Sequence, residues 1–151
     1  MVKANIGDIK KIREITGISF ESVRQALEDA DGKIELALQI LKKKGIETSA
    51  KKSGRETGEG LVFSYIHSNG KIGVLLKLLC ETDFVARNEQ FKELGHELTM
   101  HIAASNPQNV EELLSQSYIR DQDLTVDAFI KNYIAKLGEN IRISEFCRFE
   151  I

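Results

Sequence analysis

Long apolar runs are missing from this chain: no stretch approaches the roughly 18 consecutive apolar residues that a membrane-spanning helix needs. The first residues, Met1-Val2-Lys3-Ala4-Asn5-Ile6-Gly7-Asp8, lack the apolar core and small-residue cleavage site of a signal peptide, so the expected compartment is the cytoplasm, with no membrane contact. A basic excess is missing too. The formal net charge is −2, whereas general nucleic-acid binders carry a clear positive surplus, so direct nucleic-acid binding is not expected. Cysteine is scarce: Cys80 and Cys147 lie far apart and form no Cys-x-x-Cys pair. Reduced thiols rather than a disulfide framework follow for an intracellular chain.

What is present is a globular mixture, 42% hydrophobic and 29% charged over 151 residues. That length holds one ordinary domain, or a small one and a modest second. No internal repeat is visible. Residues 5–45 predict three short helices. Asn5 can cap the first, with Asp8 near its positive end, and Ile9, Ile12 and Ile15 give it an apolar face up to Thr16-Gly17. Ser19 or Ser22 can cap the second, which carries Val23, Ala26, Leu27 and Ala30 at helical spacing. Asp31 can cap the third, where Ile34, Ala37, Leu38 and Leu41 repeat until Gly45 supplies a stop. So small a bundle buries little and must lean on a partner or on the rest of the chain. Residues 46–59 turn polar and basic, predicting a linker or a solvated helix; Lys51, Lys52 and Arg55 there could touch phosphate or simply face solvent.

From residue 60 the pattern becomes β. Residues 61–67 and 71–80 predict two strands, with Asn69-Gly70 between them as a hairpin signal. Asn88 can cap a helix running to about Ser105, with Phe91, Leu94, Leu98 and Ile102 on one face and Asn106-Pro107 as its end. A short helical segment holds Val110, Leu113 and Leu114, and Thr125 can cap a further helix that Gly138 closes. Residues 140–151 partly alternate and predict a third strand. Strands and helices without a βαβ rhythm give an α+β class: a three-helix bundle (1–45), a basic linker (46–59), and a domain (60–151) with a three-stranded antiparallel sheet packed against helices.

Between the second strand and the Asn88 helix lies Glu81-Thr82-Asp83-Phe84-Val85-Ala86-Arg87-Asn88. A polar and aromatic loop at such a junction can be held rigidly and presented outward. Equally, Phe84 and Val85 can tuck under the sheet while Asp83 or Asn88 caps the helix. Thr82-Asp83-Phe84-Val85 resembles the signature of the elongation factor Ts family, and the flanking Leu79-Cys80-Glu81 and Ala86-Arg87-Asn88 are similar too. A second resemblance lies in Ile12-Arg13-Glu14-Ile15-Thr16-Gly17 followed by Val23-Arg24-Gln25-Ala26-Leu27, which matches the family's Leu-Arg-x-x-Thr-Gly pattern except at Ile12. A third is Ala135-Lys136-Leu137-Gly138-Glu139-Asn140-Ile141. Together they span nearly the whole chain in the expected order. Two departures stand out: Phe20-Glu21 replaces a frequent methionine pair, and the chain has room for one of the two similar subdomains of longer relatives.

The resemblance implies a guanine nucleotide exchange factor that binds elongation factor Tu with GDP or without nucleotide, has no cofactor or metal, and performs no covalent chemistry. It implies a bundle of the ubiquitin-associated type docking through Arg13, Ile18 and Phe20, while Thr82, Asp83, Phe84 and Val85 press in beside the partner's magnesium site, with Phe84 as an apolar wedge. Short relatives are homodimers, which implies a second copy here and possible proximity of Cys147 to a two-fold axis, although a buried apolar thiol is the plainer expectation. Two other classes stay open. Cys80 with His67, His96 or His101 could form a thiol nucleophile and base, against which Cys80 lies in an apolar run. His96 and His101 lack the i, i+4 spacing that stacks two ligands on a helix face. The bundle could instead be an interaction module for ubiquitin-like or nascent-chain partners, with the remainder serving only to dimerise.

Overall fold

The computed structural model describes residues 2–151, and they form an α+β fold. Its first part is helical. Helix α1 (Ile6–Thr16) starts where the Asn5 side chain accepts the Gly7 N–H at 2.7 Å, and ends at Gly17, whose φ of 66° is the left-handed closure that glycine adopts without a Cβ penalty. Helix α2 (Phe20–Asp29) is capped by Ser19 rather than Ser22. Helix α3 (Ile34–Lys52) departs from expectation at both ends. Asp31 does not cap it: that residue holds a positive φ of 50° in the turn, and Lys33 precedes the helix without a side-chain cap. Nor does Gly45 stop it. A Cβ at Gly45 would lie 3.5 Å from the Ala135 Cβ, an ordinary contact distance, and α3 continues there packed along a later helix. That packing offsets the cost of about 1 kcal/mol for glycine in a helix interior. The basic segment therefore begins as a continuation of α3.

Ile9, Ile12, Val23, Ala26, Leu27, Ala37 and Leu41 form the apolar centre of these helices. Ile15, expected on the same face, is 74% exposed instead.

Strands β1 (Glu59–Ile66) and β2 (Ile72–Cys80) make an antiparallel hairpin, with Tyr65 opposite Val74 and Gly60 opposite Leu79. Its turn uses Gly70 at φ 73°. After β2 come a short helix, α4 (Asp83–Ala86), then α5 (Glu89–Ser105) and α6 (Val110–Ser115). Asn88 caps α5 by accepting the Gln90 N–H at 2.8 Å. A two-stranded hairpin, β3 (Ser117–Tyr118) and β4 (Asp121–Thr125), leads to α7 (Val126–Leu137), which Thr125 caps and Gly138 closes. Strand β5 (Ile141–Glu150) pairs antiparallel with β2, giving the sheet order β1-β2-β5.

Period-two alternation in the strands decides what faces the helices. Val74, Leu76, Leu78, Ile141 and Ile143 point inward onto Phe91, Leu94, Leu98 and Ile102 of α5 and Ile130 of α7. The opposite face is open and apolar in part: Val62, Leu75, Cys147 and Phe149 are exposed there. The buried apolar role expected for Cys147 is therefore wrong, because β5 turns that side chain away from the helices.

The hairpin β3–β4 was not expected, and its anchors explain it. The Tyr118 ring stacks on Phe129 with centroids 4.1 Å apart, and its hydroxyl donates to Glu97 at 2.5 Å. Buried His101 bonds Gln116 through Nε2 at 2.9 Å and accepts the Ile119 N–H on Nδ1 at 3.3 Å. Burial pushes the His101 pKa down, in keeping with a neutral ring whose Nδ1 accepts.

Candidate partner-binding site

Glu81 to Asn88 is not a loose loop. Thr82 adopts an extended conformation and its hydroxyl accepts the Val85 N–H at 3.4 Å, which starts the single helical turn α4. Asp83 pairs with Arg87 one turn on. Ala86 is buried, Val85 is half-buried against the core, and Phe84 is the one apolar side chain of the segment that stands out, 80% exposed. The turn is half-anchored, unlike either sequence alternative: Val85 tucks in and Phe84 does not.

The turn rests on residues far away in sequence. The Glu139 carboxylate accepts the Glu81 N–H at 3.1 Å and the Thr82 N–H at 3.0 Å on one oxygen, and the Thr82 hydroxyl at 2.7 Å on the other. The Glu81 carboxylate in turn accepts the Asn140 N–H at 2.8 Å. In the sequence Glu139 falls within the third resembling run, where nothing assigns it a role. The signal available was only that the two runs occur together.

The other expected contacts lie in the bundle. Arg13 is exposed and its guanidinium donates to the Ile18 carbonyl at 3.4 Å, bracing the turn between α1 and α2. Ile18 is partly buried and Phe20 is exposed. A Cβ on Gly17 would lie 3.5 Å from the Lys136 Cε and 3.6 Å from the Gln90 Nε2. That turn thus abuts α7 and the start of α5, the helix that follows the Phe84 segment. A cleft of about 280 Å³ opens beside it, lined by Ile15, Ile18, Leu41, Leu124 and Ala135. The structure brings the two groups of expected contacts to neighbouring elements, with exposed Ile15 beside the first.

The candidate thiol nucleophile is poorly placed for that role. Cys80 is fully buried, and burial first, then the Glu139 carboxylate, pushes its thiol up to about 11. Its Sγ–H donates to the Thr82 carbonyl at 3.1 Å. Among the described residues, no group of three or more His, Cys, Asp and Glu side chains could hold a metal ion, and no helix is long and apolar enough to cross a membrane.

Comparison with known proteins agrees with the local resemblances. A family profile described as Elongation factor TS matches residues 81–151. Elongation factor Ts of Fervidobacterium nodosum is 41% identical over 188 aligned positions, covering 95% of this chain and 95% of that protein. Elongation factor Ts of Thermosipho melanesiensis is 37% identical over 196 positions, covering 100% and 99%. Both alignments exceed the 151 residues here, so those relatives carry residues without a counterpart in this chain. Against Elongation factor Ts of Aquifex aeolicus the identity is 44% over 148 positions, and 95% of this chain covers 51% of that longer protein. With this identity maintained along almost the full length of two such relatives, the chain belongs to the elongation factor Ts family.

Proposed function

We propose that this chain is a cytoplasmic guanine nucleotide exchange factor for elongation factor Tu in translation elongation, working without a cofactor and without covalent chemistry. The observation that carries the reading is Phe84, an aromatic ring left in solvent on a turn whose neighbours are otherwise fixed. The bundle of residues 1–45 is the docking element, through Arg13, Ile18 and Phe20. Thr82, Asp83, Phe84 and Val85 enter beside the magnesium and nucleotide site, where the ring wedges between partner helices. Burying a phenyl ring contributes roughly 1.5–3 kcal/mol. A thousandfold faster GDP release needs about 4 kcal/mol less barrier, which the wedge and one weakened magnesium contact can supply together. Fresh GTP then ejects the factor, because nucleotide and factor must weaken each other equally.

Linkage gives the test. The affinity for elongation factor Tu is expected to be high without nucleotide and to fall as GDP is raised, by the same ratio as the factor weakens GDP binding. Calorimetric titrations with and without saturating GDP measure both. An affinity indifferent to GDP removes the exchange reading and leaves a plain binding module.

The same reading includes a homodimer, supported by the open sheet face. Ser64, Leu75 and Cys147 lie side by side across the three strands, next to Val62 and Phe149. Lys77 and Glu145 pair with each other at 3.7 Å on that face, so it carries no unbalanced charge to repel a second copy. Sedimentation equilibrium is expected to give twice the chain mass, and Leu75→Glu half of that value. A wild-type monomer at micromolar concentration ends this part of the proposal.

A further inference from the structure

The turn after α7 gathers an unusual number of long-range polar contacts, and they join three parts of the chain. Toward the Phe84 segment, Glu139 takes both successive N–H groups of Glu81 and Thr82 and the Thr82 hydroxyl. Toward the tail of α3, the Lys52 ammonium donates to the Gly138 carbonyl at 2.8 Å, and the Asn140 amide donates to the Arg55 and Ser53 carbonyls at 2.9 and 3.4 Å. The Arg55 guanidinium closes the circle 3.6 Å from the Glu81 carboxylate.

We propose that Glu139 is a positioning residue for nucleotide exchange: its carboxylate sets the conformation of Thr82, and through Thr82 the aim of Phe84. This rests on the reading of Phe84 as the working side chain. The physical reason lies in the Thr82 hydroxyl, which owns one proton and two lone pairs. Giving that proton to a carboxylate makes a short charge-assisted bond and fixes the rotor, so a lone pair faces the Val85 N–H and starts α4. The two backbone bonds hold Thr82 in its extended conformation just before the turn. Phe84 is two residues farther and has almost no packing of its own, so its direction is inherited from this anchor. Asn140 fastens the same turn to the α3 tail, giving the bundle and the Phe84 segment a common support.

A merely structural Glu139 predicts lower stability with an unchanged maximal rate; a positioning Glu139 predicts a rate effect in folded protein. The test uses full-length wild type, Glu139→Ala, Glu139→Gln and Phe84→Ala. GDP release from elongation factor Tu is measured against factor concentration, below the unfolding midpoint of each variant by circular dichroism. Glu139→Ala is expected to lower the maximal acceleration about tenfold, as expected for a lost charge-assisted bond, with half-saturation moved less than about twofold because the docking helices are untouched. Amide hydrogen exchange should quicken in residues 81–88 and not in α5. Glu139→Gln, which keeps an oxygen for the backbone N–H groups, is expected to recover part of the rate, and it carries the test if the alanine variant does not fold. Wild-type maximal rates in both Glu139 variants, while Phe84→Ala is defective, overturn the positioning role and leave the exchange segment standing. A fully active Phe84→Ala overturns the exchange segment, and this proposal with it.

Discussion

Phe84→Ala is expected to reduce the maximal acceleration of GDP release by about ten- to a hundredfold, the range set by losing the 1.5–3 kcal/mol that a buried phenyl ring supplies. Its own fold should not notice. The ring is 80% exposed, and truncating an exposed side chain usually changes stability by no more than about 0.5 kcal/mol. The combination is diagnostic, because a core aromatic would lose stability and activity together. Stopped-flow release of a fluorescent GDP analogue, alongside thermal unfolding, reads both quantities. A variant that matches wild type in rate shows that the wedge is elsewhere. A variant that loses rate and several degrees of melting temperature shows that Phe84 packs in a way its exposure does not reveal.

The second large effect concerns Gly60, at the start of the sheet. Its φ of 151° lies in the region glycine favours, and a Cβ there would come 2.1 Å from the Leu78 carbonyl oxygen and 2.9 Å from the Leu79 Cα. Both obstacles are backbone of the neighbouring strand β2, which cannot swing aside as a flexible side chain can. Gly60→Ala must therefore push β1 and β2 apart near Cys80, where the strand hands over to Thr82. Strain of this kind, added to an unsuitable φ, is expected to cost about 3 kcal/mol or more. Gly58, two residues earlier, has nothing within 4 Å of its added Cβ, so Gly58→Ala should leave stability nearly unchanged. Urea unfolding of the pair makes the comparison with mutual control. Equal midpoints for the two variants contradict the close approach of β1 to β2 at Gly60.

Much of this architecture was legible from local chemistry. Asn5, Asn88 and Thr125 cap helices where their short polar side chains and the following apolar periodicity indicate, since a cap needs only its own turn. The Asn69-Gly70 hairpin and the inward alternation of Val74, Leu76 and Leu78 follow from equally short-range rules. Failures came where distant contacts overrode those rules. Gly45 reads as a stop, yet Ala135 packs against it and α3 continues. No local pattern announces the β3–β4 hairpin, whose anchors are distant: Phe129 and Glu97 hold Tyr118, and His101 holds the Ile119 N–H. Ile15 falls on the expected stripe yet is exposed, at the edge of the cleft next to α7.

The candidate site divides along the same line. Thr82, Asp83, Phe84 and Val85 were nameable by resemblance, but four residues are too few for any periodicity to show that they form a helical turn. That Phe84 and Val85 part company, one outward and one inward, depends on the anchor beneath Thr82. Glu139 supplies that anchor from 57 residues away, and nothing in its immediate neighbourhood points to Thr82. Its place in the turn closed by Gly138 suggests only the end of a helix.

Loosening of GDP from elongation factor Tu by this chain is itself read by stopped flow. Elongation factor Tu loaded with a fluorescent GDP analogue is mixed with excess unlabelled GDP and increasing wild-type factor, and the release rate is followed by stopped flow. Exchange activity predicts a rate that climbs steeply with factor concentration and then saturates. A release rate that stays at its spontaneous value, with folded factor and a cognate partner, contradicts it.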